Sequence, residues 1–259
     1  MDDKKSYEQA LEELSLMLMY LTRKQDNNEF FPFKELSWKG YDFDTMDRLE
    51  QKELLWQPRS RRGYEKYLYL TEAGRKKARE LLQDYGFSDK AQNERFEFRN
   101  IRPDEAKEAA RVEKICFPPN EACTESIMKE RAAVAADTFL VAWDRQEERI
   151  AGFLNGLATD EDTLRDEFFK DVCLHDPEGK NIMILGLDVL PEYRGKGLAK
   201  ALMFEYLRRE WDRGRKMIIL TCLEEKVAMY EKMGFINRGL SKSCWGGEQW
   251  YEMSCVLNM

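Results

Sequence analysis

The sequence predicts an α/β protein of two domains, in which a small α+β domain precedes a larger domain with a mixed central sheet. A chain of 259 residues is long enough for about two typical domains. Residues 182–190 and 217–221 are almost entirely apolar, as expected for strands buried on both faces, and an amphipathic helix follows each of them. The segment 86–93 is polar and lacks periodicity, so we place the domains at residues 1–90 and 94–259.

The composition excludes several classes of protein. With 42 basic and 49 acidic residues the net charge is −7, which argues against a protein that coats nucleic acid. The sequence has no apolar run long enough for a membrane span and no apolar signal core near Met1, so we expect a cytoplasmic protein without a membrane partner. Six cysteines without a C-x-x-C pair, and His175 as the single histidine, argue against a metal site and against imidazole-based catalysis.

The first domain is predicted to hold three helices and one hairpin. Apolar residues at three- and four-residue spacing predict the helices, and Thr71 is placed to cap the third. The elements are helices at 5–23 and 44–54, strands at 55–57 and 64–70 around a turn at 58–63, and a helix from Thr71 to Leu82. The positions expected to face the core in the first helix are Tyr7, Leu11, Leu14, Leu18 and Leu21.

This order of elements, over residues 1–86, resembles the winged-helix domain of transcriptional regulators, and YLYLTEAGRKKARELL resembles its wing strand and the following helix. The resemblance implies DNA binding, but the charge argues against it, because residues 1–90 hold 17 basic and 18 acidic residues. The candidate recognition helix is acidic, and we interpret the basic hairpin tip as a solvated turn. The residues concerned are Asp44, Asp47, Glu50 and Glu53 in the helix and Arg59, Arg61 and Arg62 at the tip.

The second domain is predicted to alternate strands and helices. Pro103 starts its first helix and Pro118 ends it, while a charged turn at 144–149 joins two apolar runs into a hairpin. The strands are expected at 96–101, 139–143, 150–157, 182–190, 217–221, 239–243 and 249–256, and the helices at 103–117, 124–135, 197–211 and 224–233.

The turn between the strand at 182–190 and the helix at 197–211 has the form of a pyrophosphate site. Gly195 and Gly197 allow a close approach of the backbone to an anion, and Arg194 and Lys196 supply positive charge. The N–H groups of the first helical turn have no partner within the helix and point toward such an anion. The spacing matches neither the Walker pattern nor G-x-G-x-x-G.

The R-G-x-G-x-A turn after a strand of pattern L-x-V-x-P resembles the pyrophosphate motif of the GNAT superfamily of acetyl-CoA-dependent N-acetyltransferases. The sequence YEKMGF at 230–235 is similar to the Y-x-x-x-G-F signature of that superfamily. Agreement with arylalkylamine N-acetyltransferase-like members is closer, since it also includes CFPPNEA at 116–122, LHDPEGK at 174–180, LTC at 220–222 and WYEM at 250–253. The resemblance covers about the last 165 residues.

The resemblance implies a mixed central sheet in which two parallel strands splay apart and acetyl-CoA lies in the opening. Leu187 and Val189 would offer backbone groups to the pantetheine arm, while the Asp188 side chain would point the other way. Thr221 and Cys222 would form the opposite wall, with Cys222 as a wall residue and not a covalent nucleophile. The residues implied to hold the pyrophosphate are Arg194, Gly195, Lys196, Gly197, Leu198, Ala199 and Lys200.

The resemblance also assigns Tyr230 the role of the general acid that protonates the departing thiolate. The base is not assigned, because strand alternation from Val189 places apolar residues, Met183 and Leu185, at the positions where family members often carry His or Glu. Our first candidate is Glu121. Glu161, Asp162 and a water chain stay open, and His175 is expected to be a loop residue.

The expected activity is acetyl transfer from acetyl-CoA to a primary amine, more often on a small molecule than on a protein. Trp245 stands where similar proteins tend to carry a histidine, and a tryptophan there would extend an apolar wall that suits an aromatic or alkyl amine. A homodimer is kept as a possible assembly. The alternative is a transcriptional regulator that senses acyl-CoA and reads DNA through the winged helix, and the acidic charge of residues 1–90 disfavours it.

Overall fold

The protein is described from a computed structural model, which covers residues 5–25, 35–38, 40–60, 63–64, 67–87 and 95–257. The chain divides into two compact units, Met1–Glu94 and Arg95–Met259. Arg61 and Arg62 of the basic tip and residues 88–93 of the expected linker lie outside the described residues.

The N-terminal unit combines three helices with a small antiparallel sheet. Thr71 caps the third helix as predicted, since its side chain accepts a hydrogen bond from the Gly74 N–H. The first two strands were not predicted. The helices are α1 (Tyr7–Leu21), α2 (Phe43–Gln51) and α3 (Glu72–Asp84). The strands are β1 (Lys24–Gln25), β2 (Glu35–Trp38), β3 (Leu55–Trp56), β4 (Arg59–Ser60), β5 (Gly63–Tyr64) and β6 (Tyr67–Leu70), in a sheet of order β1-β2-β6-β3 beside the pair β4-β5.

The buried face of α1 is not the one predicted from spacing. Tyr7 is 74% exposed, and Leu14, Leu18 and Leu21 are exposed as well. The core is formed instead by Leu16, Met17, Met19 and Tyr20. That face also buries Glu12, whose carboxylate is bound by Arg48 and Lys52 of the α2 region. Because α1 is apolar on two sides, periodicity alone could not select the side that pairs with α2.

The second unit is built on one seven-stranded mixed sheet, which confirms the predicted α/β class. Its strand order is β12-β13-β11-β10-β9-β8-β7, with β10 and β11 parallel and the other neighbours antiparallel. The strands are β7 (Phe96–Asn100), β8 (Phe139–Asp144), β9 (Arg149–Thr159), β10 (Asn181–Val189), β11 (Met217–Cys222), β12 (Ile236–Leu240) and β13 (Tyr251–Val256). The helices are α4 (Ala106–Cys116), α5 (Glu125–Val134), α6 (Leu198–Asp212) and α7 (Glu224–Glu231).

The two parallel strands pair only at their first residues. Asn181 to Met183 pair with Met217 to Ile219, after which β10 stays with β9 as far as Val189. The strand β11 stays with β13 as far as Cys222. The expected opening between the parallel strands is therefore present at their carboxyl ends, where ligands of open α/β sheets commonly bind.

A bulge in β10 changes which side chains share a face. The pairing with β9 shifts between Ile184 and Gly186, so β10 carries one extra residue there. Met183 pairs with Leu157 and Asp188 with Phe153, positions of equal parity on β9. The expectation that Met183 shares a face with Leu187 and Val189 was therefore wrong, because strict alternation does not survive the bulge.

Candidate active site

A cavity of about 690 Å³ lies where the two parallel strands part. Its walls come from β10, β11, α7, the turn before α6 and the loops after α4 and β12. Twelve of the fourteen residues predicted for the site line it, namely Glu121, Leu187, Val189, Arg194, Gly195, Gly197, Leu198, Ala199, Lys200, Thr221, Cys222 and Tyr230. The side chains of the other two, Asp188 and Lys196, do not.

One end of the cavity is the turn that leads into α6. Gly195 and Gly197 have φ angles of +72° and +83°, a left-handed conformation that L side chains rarely adopt. No side chain caps α6, and its first internal bond runs from the Ala201 N–H to the Gly197 carbonyl. The N–H groups of Leu198 to Lys200 therefore have no helical partner and are available to an anion.

Side chains fix this turn against the end of β10. The Arg194 Nε donates to the Val189 carbonyl over 2.8 Å, and the Cys116 thiol reaches the same carbonyl at 3.4 Å. The Tyr193 hydroxyl donates to the buried Asp144 carboxylate at 2.8 Å. Lys196 points to the outside, where its ammonium bonds the Glu192 carbonyl. The anion-binding character of the turn therefore comes mainly from its backbone.

Tyr230 and Cys222 both line the cavity, and the pKa of each side chain is raised, which favours its neutral form. Burial, with smaller effects of the charges of Cys222 and Asp188, raises the pKa of Tyr230. Burial also raises the pKa of the Cys222 thiol to about 11. A neutral thiol is a weak nucleophile, which favours the role of Cys222 as a wall, whereas a protonated phenol can donate a proton.

The other end of the cavity has aromatic walls. The rings of Phe169 and Trp245 stack with centroids 4.9 Å apart, and Phe117 and Trp250 also line this end. The Trp245 indole N–H donates to the Glu121 carbonyl over 3.0 Å, and the Trp250 N–H donates to the Trp245 carbonyl over 2.8 Å. These bonds join the loop after α4 to the loop after β12, so residues far apart in the chain form one apolar chamber.

Glu121 lies at this aromatic end, and Glu113 also lines the cavity. Glu121 is partly exposed, and burial together with the charge of Glu248 raises its pKa. Glu113 is buried, and its oxygens accept from the Cys123 N–H and thiol. The chamber can therefore hold a cationic group against an otherwise apolar wall.

The structure places the remaining base candidates away from the cavity. Glu161 is bound by Arg165 at 2.8 Å, and neither it nor Asp162 lines the cavity. The His175 ring is buried, and its Nδ1 accepts from the Ala158 N–H at 3.1 Å, which fits the expected loop role.

Several lining residues were not singled out individually from the sequence. Glu113, Cys116, Phe117, Phe169, Gly186 and Trp250 are among them. Cys116 and Phe117 belong to the CFPPNEA motif and Trp250 to WYEM, so motif agreement carried that signal. No sequence signal pointed to Phe169 or Glu113, because each of them reaches the site only through the tertiary fold.

The described ranges contain neither a metal cluster nor a membrane-spanning helix. There, no group of three or more His, Cys, Asp or Glu side chains is arranged to hold a metal ion. No helix in this part of the chain combines the length and apolarity needed to cross a bilayer.

Residues 105–235 match the acetyltransferase (GNAT) family. The chain belongs to the GNAT family. Residues 7–88 match a domain of unknown function (DUF6429), so the winged-helix interpretation of the first domain stays a prediction.

The sequence relative and the solved structures that resemble this chain are consistent with the family assignment. The human protein N-acetyltransferase 8 is 32% identical over 124 residues, which cover 47% of this chain and 46% of that protein. The matched segment thus spans less than half the length of this relative. Among solved structures, the GNATL loading domain of CurA from Lyngbya majuscula superposes with a TM-score of 0.54 at 13% identity, over 62% of this chain and 98% of that one. The GphF GNAT-like decarboxylase in complex with isobutyryl-CoA gives 0.53 at 17% identity, over 62% and 100%. At such identities these structures support the fold alone.

Proposed function

We propose that this GNAT protein transfers an acetyl group from acetyl-CoA to the primary amine of a small molecule with an aromatic or alkyl body. The observation that carries the proposal is the cavity between β10 and β11, which is lined by an open glycine turn as well as by stacked aromatic rings. The glycine turn suits an anionic coenzyme, and the aromatic rings suit an apolar acceptor.

The geometry of the turn fits coenzyme A. A side-chain carbon added to Gly195 or Gly197 would meet no atom within 4 Å, so the backbone is open on that side. The N–H groups of Leu198 to Lys200 would hold the pyrophosphate oxygens, and Lys200 lines the same wall. The GphF protein of the same fold was solved with isobutyryl-CoA, so an acyl-CoA is the ligand class to test first.

Tyr230 is assigned as the general acid. The thioester carbonyl is attacked by the amine nitrogen, the C–S bond breaks, and the leaving sulfur takes the phenolic proton. The raised pKa keeps Tyr230 protonated at neutral pH, which is the state needed for donation.

Glu121 and the aromatic chamber are proposed to position the acceptor. Stacked Phe169 and Trp245 offer a flat apolar wall, and Glu121 lies next to Trp245 through the indole bond. A cationic head and a flat or alkyl body match this combination, whereas a polycationic antibiotic would require a larger number of acidic groups along the wall.

The N-terminal unit is proposed to have a structural or protein-contact role and not to read DNA. Gln57 ties down two of the acids of α2, since its side-chain amide donates to Asp47 at 3.0 Å and to Glu50 at 3.2 Å. These carboxylates keep α2 acidic, so phosphates would be repelled. Specific retention of duplex DNA at physiological salt would contradict this assignment and favour the regulator.

The deciding experiment measures release of the coenzyme A thiol from acetyl-CoA with a panel of acceptors. The panel contains arylalkylamines, alkylamines, polyamines, aminoglycosides and peptides. We expect turnover with the arylalkyl or alkyl amines and formation of the N-acetyl product by mass spectrometry. Absence of turnover with every acceptor, in a protein that binds acetyl-CoA, would contradict the proposal.

A further inference from the structure

Asp188 is a buried carboxylate whose role is not explained by the coenzyme site. Its side chain is 0% exposed, and neither oxygen has a hydrogen-bond partner among the described residues. The neighbouring Cys116 thiol points to the Val189 carbonyl instead. Buried carboxylates without any partner are rare in folded proteins, so an unpaired one next to residues of a cavity wall calls for a functional explanation.

Gly186 connects Asp188 to the cavity. A side-chain carbon added to Gly186 would lie 3.0 Å from the Asp188 Oδ2, 3.3 Å from the Asn155 Nδ2 and 4.0 Å from the Phe117 ring. Gly186 and Phe117 both line the cavity. Gly186 therefore lies close to both a carboxylate oxygen and an amide nitrogen and has no side chain to shield them, and this position in the cavity wall is here called the Gly186 gap.

The amide that borders the gap is unpaired as well. Asn155 is 1% exposed, and its Oδ1 accepts from Arg131 at 3.3 Å. Since guanidinium groups only donate, this contact turns the Nδ2 of Asn155 toward the gap, where no residue of the described chain accepts from it. One unused acceptor and one unused donor, both almost completely buried, thus face the same small space.

We propose that Asp188 is the proton acceptor for the amine, reached through the Gly186 gap. The inference rests on the proposed acetyl transfer. A primary ammonium must lose one proton before its nitrogen can attack the thioester carbonyl carbon, and that proton passes to Asp188. After attack the nitrogen loses a second proton as the C–S bond breaks. Tyr230 gives its phenolic proton to the sulfur, and the second proton from the nitrogen restores the phenol. Release of the proton from Asp188 to solvent then completes the cycle.

The electrostatic surroundings suit this role. Burial, and then the negative charge of Glu113, raise the pKa of Asp188 above that of an ordinary aspartate. A carboxylate with a raised pKa is the stronger base whenever it is ionised. Asp188 is also among the charges that raise the pKa of Tyr230, so base and acid lie within electrostatic reach of each other. The titratable and charged groups around Asp188 are Glu113, Cys116, Cys123, Arg131, Arg194 and Tyr230.

The test compares two acceptors in the variant Asp188→Asn. For an alkylamine, which is protonated at pH 7, we expect kcat/KM to fall by about 100-fold and the acidic limb of its pH profile to disappear. For an acceptor of similar size whose nitrogen is already neutral at pH 7, such as an arylamine or a hydroxylamine, we expect a loss below about 3-fold, because no base is needed. Acetyl-CoA affinity, measured by calorimetry, should stay unchanged.

Equal losses with both acceptors would mean that Asp188 only supports the fold, and a retained acidic limb would mean that another group takes the proton. Either result overturns the inference. If the wild-type protein acetylates no amine at all, the proposed function fails instead, and the two failures are thereby distinguished.

Two further variants keep the inference testable should Asp188→Asn fold poorly. In Glu113→Gln the acidic limb should move to lower pH, because the charge that raises the pKa of Asp188 is gone. In Glu121→Gln the limb should stay in place while KM for the amine increases. Loss of the limb in Glu121→Gln would identify Glu121 as the base and contradict our assignment.

Discussion

The two ends of the cavity are built in different ways. The end proposed to hold the coenzyme, here called the coenzyme end, is formed by one continuous segment, Arg194 to Lys200, whose backbone N–H groups are proposed to bind the pyrophosphate. The acceptor end is assembled from side chains such as Phe117, Phe169 and Trp245, which more than one hundred positions separate at the extremes. The geometry of a site formed by backbone groups depends on the positions of its glycines in the sequence. The geometry of a site formed by distant side chains depends on the tertiary fold. The two ends should therefore respond differently to substitution.

The largest effect is expected between the two ends, at the reacting atoms. Tyr230→Phe removes the phenolic proton and keeps the ring, so the edge contact with Phe235 at 5.8 Å is retained. We expect kcat to fall by about 10²- to 10⁴-fold, the usual range for loss of a general acid, with acetyl-CoA affinity nearly unchanged. Steady-state kinetics and calorimetry measure the two quantities. Unchanged kcat would remove Tyr230 from its role.

A substitution at the coenzyme end should affect binding of acetyl-CoA alone. Gly197→Val forces a branched side chain into a left-handed conformation at the mouth of the pyrophosphate turn, and we expect the Kd for acetyl-CoA to rise by at least about 10-fold. Gly214→Val is the matched control at the other end of α6. Its φ is +76° and its surroundings are equally open, so the backbone strain is alike, about 1–2 kcal/mol.

Comparison of the two variants separates strain from loss of the anion site. We expect similar decreases in thermal stability for both, but weakened acetyl-CoA binding only in Gly197→Val. If Gly214→Val weakened binding to the same degree, the effect would be general destabilisation and the assignment of the turn would be lost.

The difference between the two ends of the cavity also explains which site residues could be predicted from the sequence. The position of the proposed coenzyme turn was predicted from signals that are all local, namely the glycine spacing, the preceding strand and the following helix. The family resemblance supplied the individual residues of the turn. The acceptor end was predicted only at Glu121 and Trp245. Phe169 reaches it only through the tertiary fold, and the bulge near Leu185 in β10 moved Met183 to the other face. A pattern of period two contains no information about where one extra residue is inserted.

Helix α1 gives the corresponding lesson for the N-terminal unit. Its helical character was predicted from the spacing of apolar residues, and in the structure the Ser6 side chain caps it by accepting from the Gln9 N–H. Its buried face does not, because Leu16 and Leu14 are both leucines on a helix with two apolar sides. The partner helix α2 decides, through the bonds from Arg48 and Lys52 to Glu12.

At the acceptor end a moderate and substrate-dependent effect is expected. Trp245→Ala removes the ring that stacks on Phe169 and also the bond to the Glu121 carbonyl. We expect KM to rise by about 5-fold for an arylalkylamine, in line with about 1 kcal/mol for an aromatic pair, and by much less for a small alkylamine. Measurement of both acceptors on the same preparation supplies the control. An equal rise for both would indicate disruption of the loop and no aromatic recognition.

The smallest effect is expected from removal of the positive charge of Lys196, because a turn that binds through its backbone does not depend on this side chain. Lys196 lies in the middle of the pyrophosphate turn, yet its ammonium bonds the Glu192 carbonyl and its side chain is not part of the cavity wall. If the turn binds through its backbone, Lys196→Ala should raise the Kd for acetyl-CoA by no more than about two-fold at about 0.15 M salt. The reason is that salt screens the interaction of an exposed ammonium with the coenzyme. Calorimetry at low and at physiological salt measures the change. A loss of 10-fold or more would mean that Lys196 turns inward to hold the phosphates, and then the coenzyme end, like the acceptor end, would be a site made of side chains.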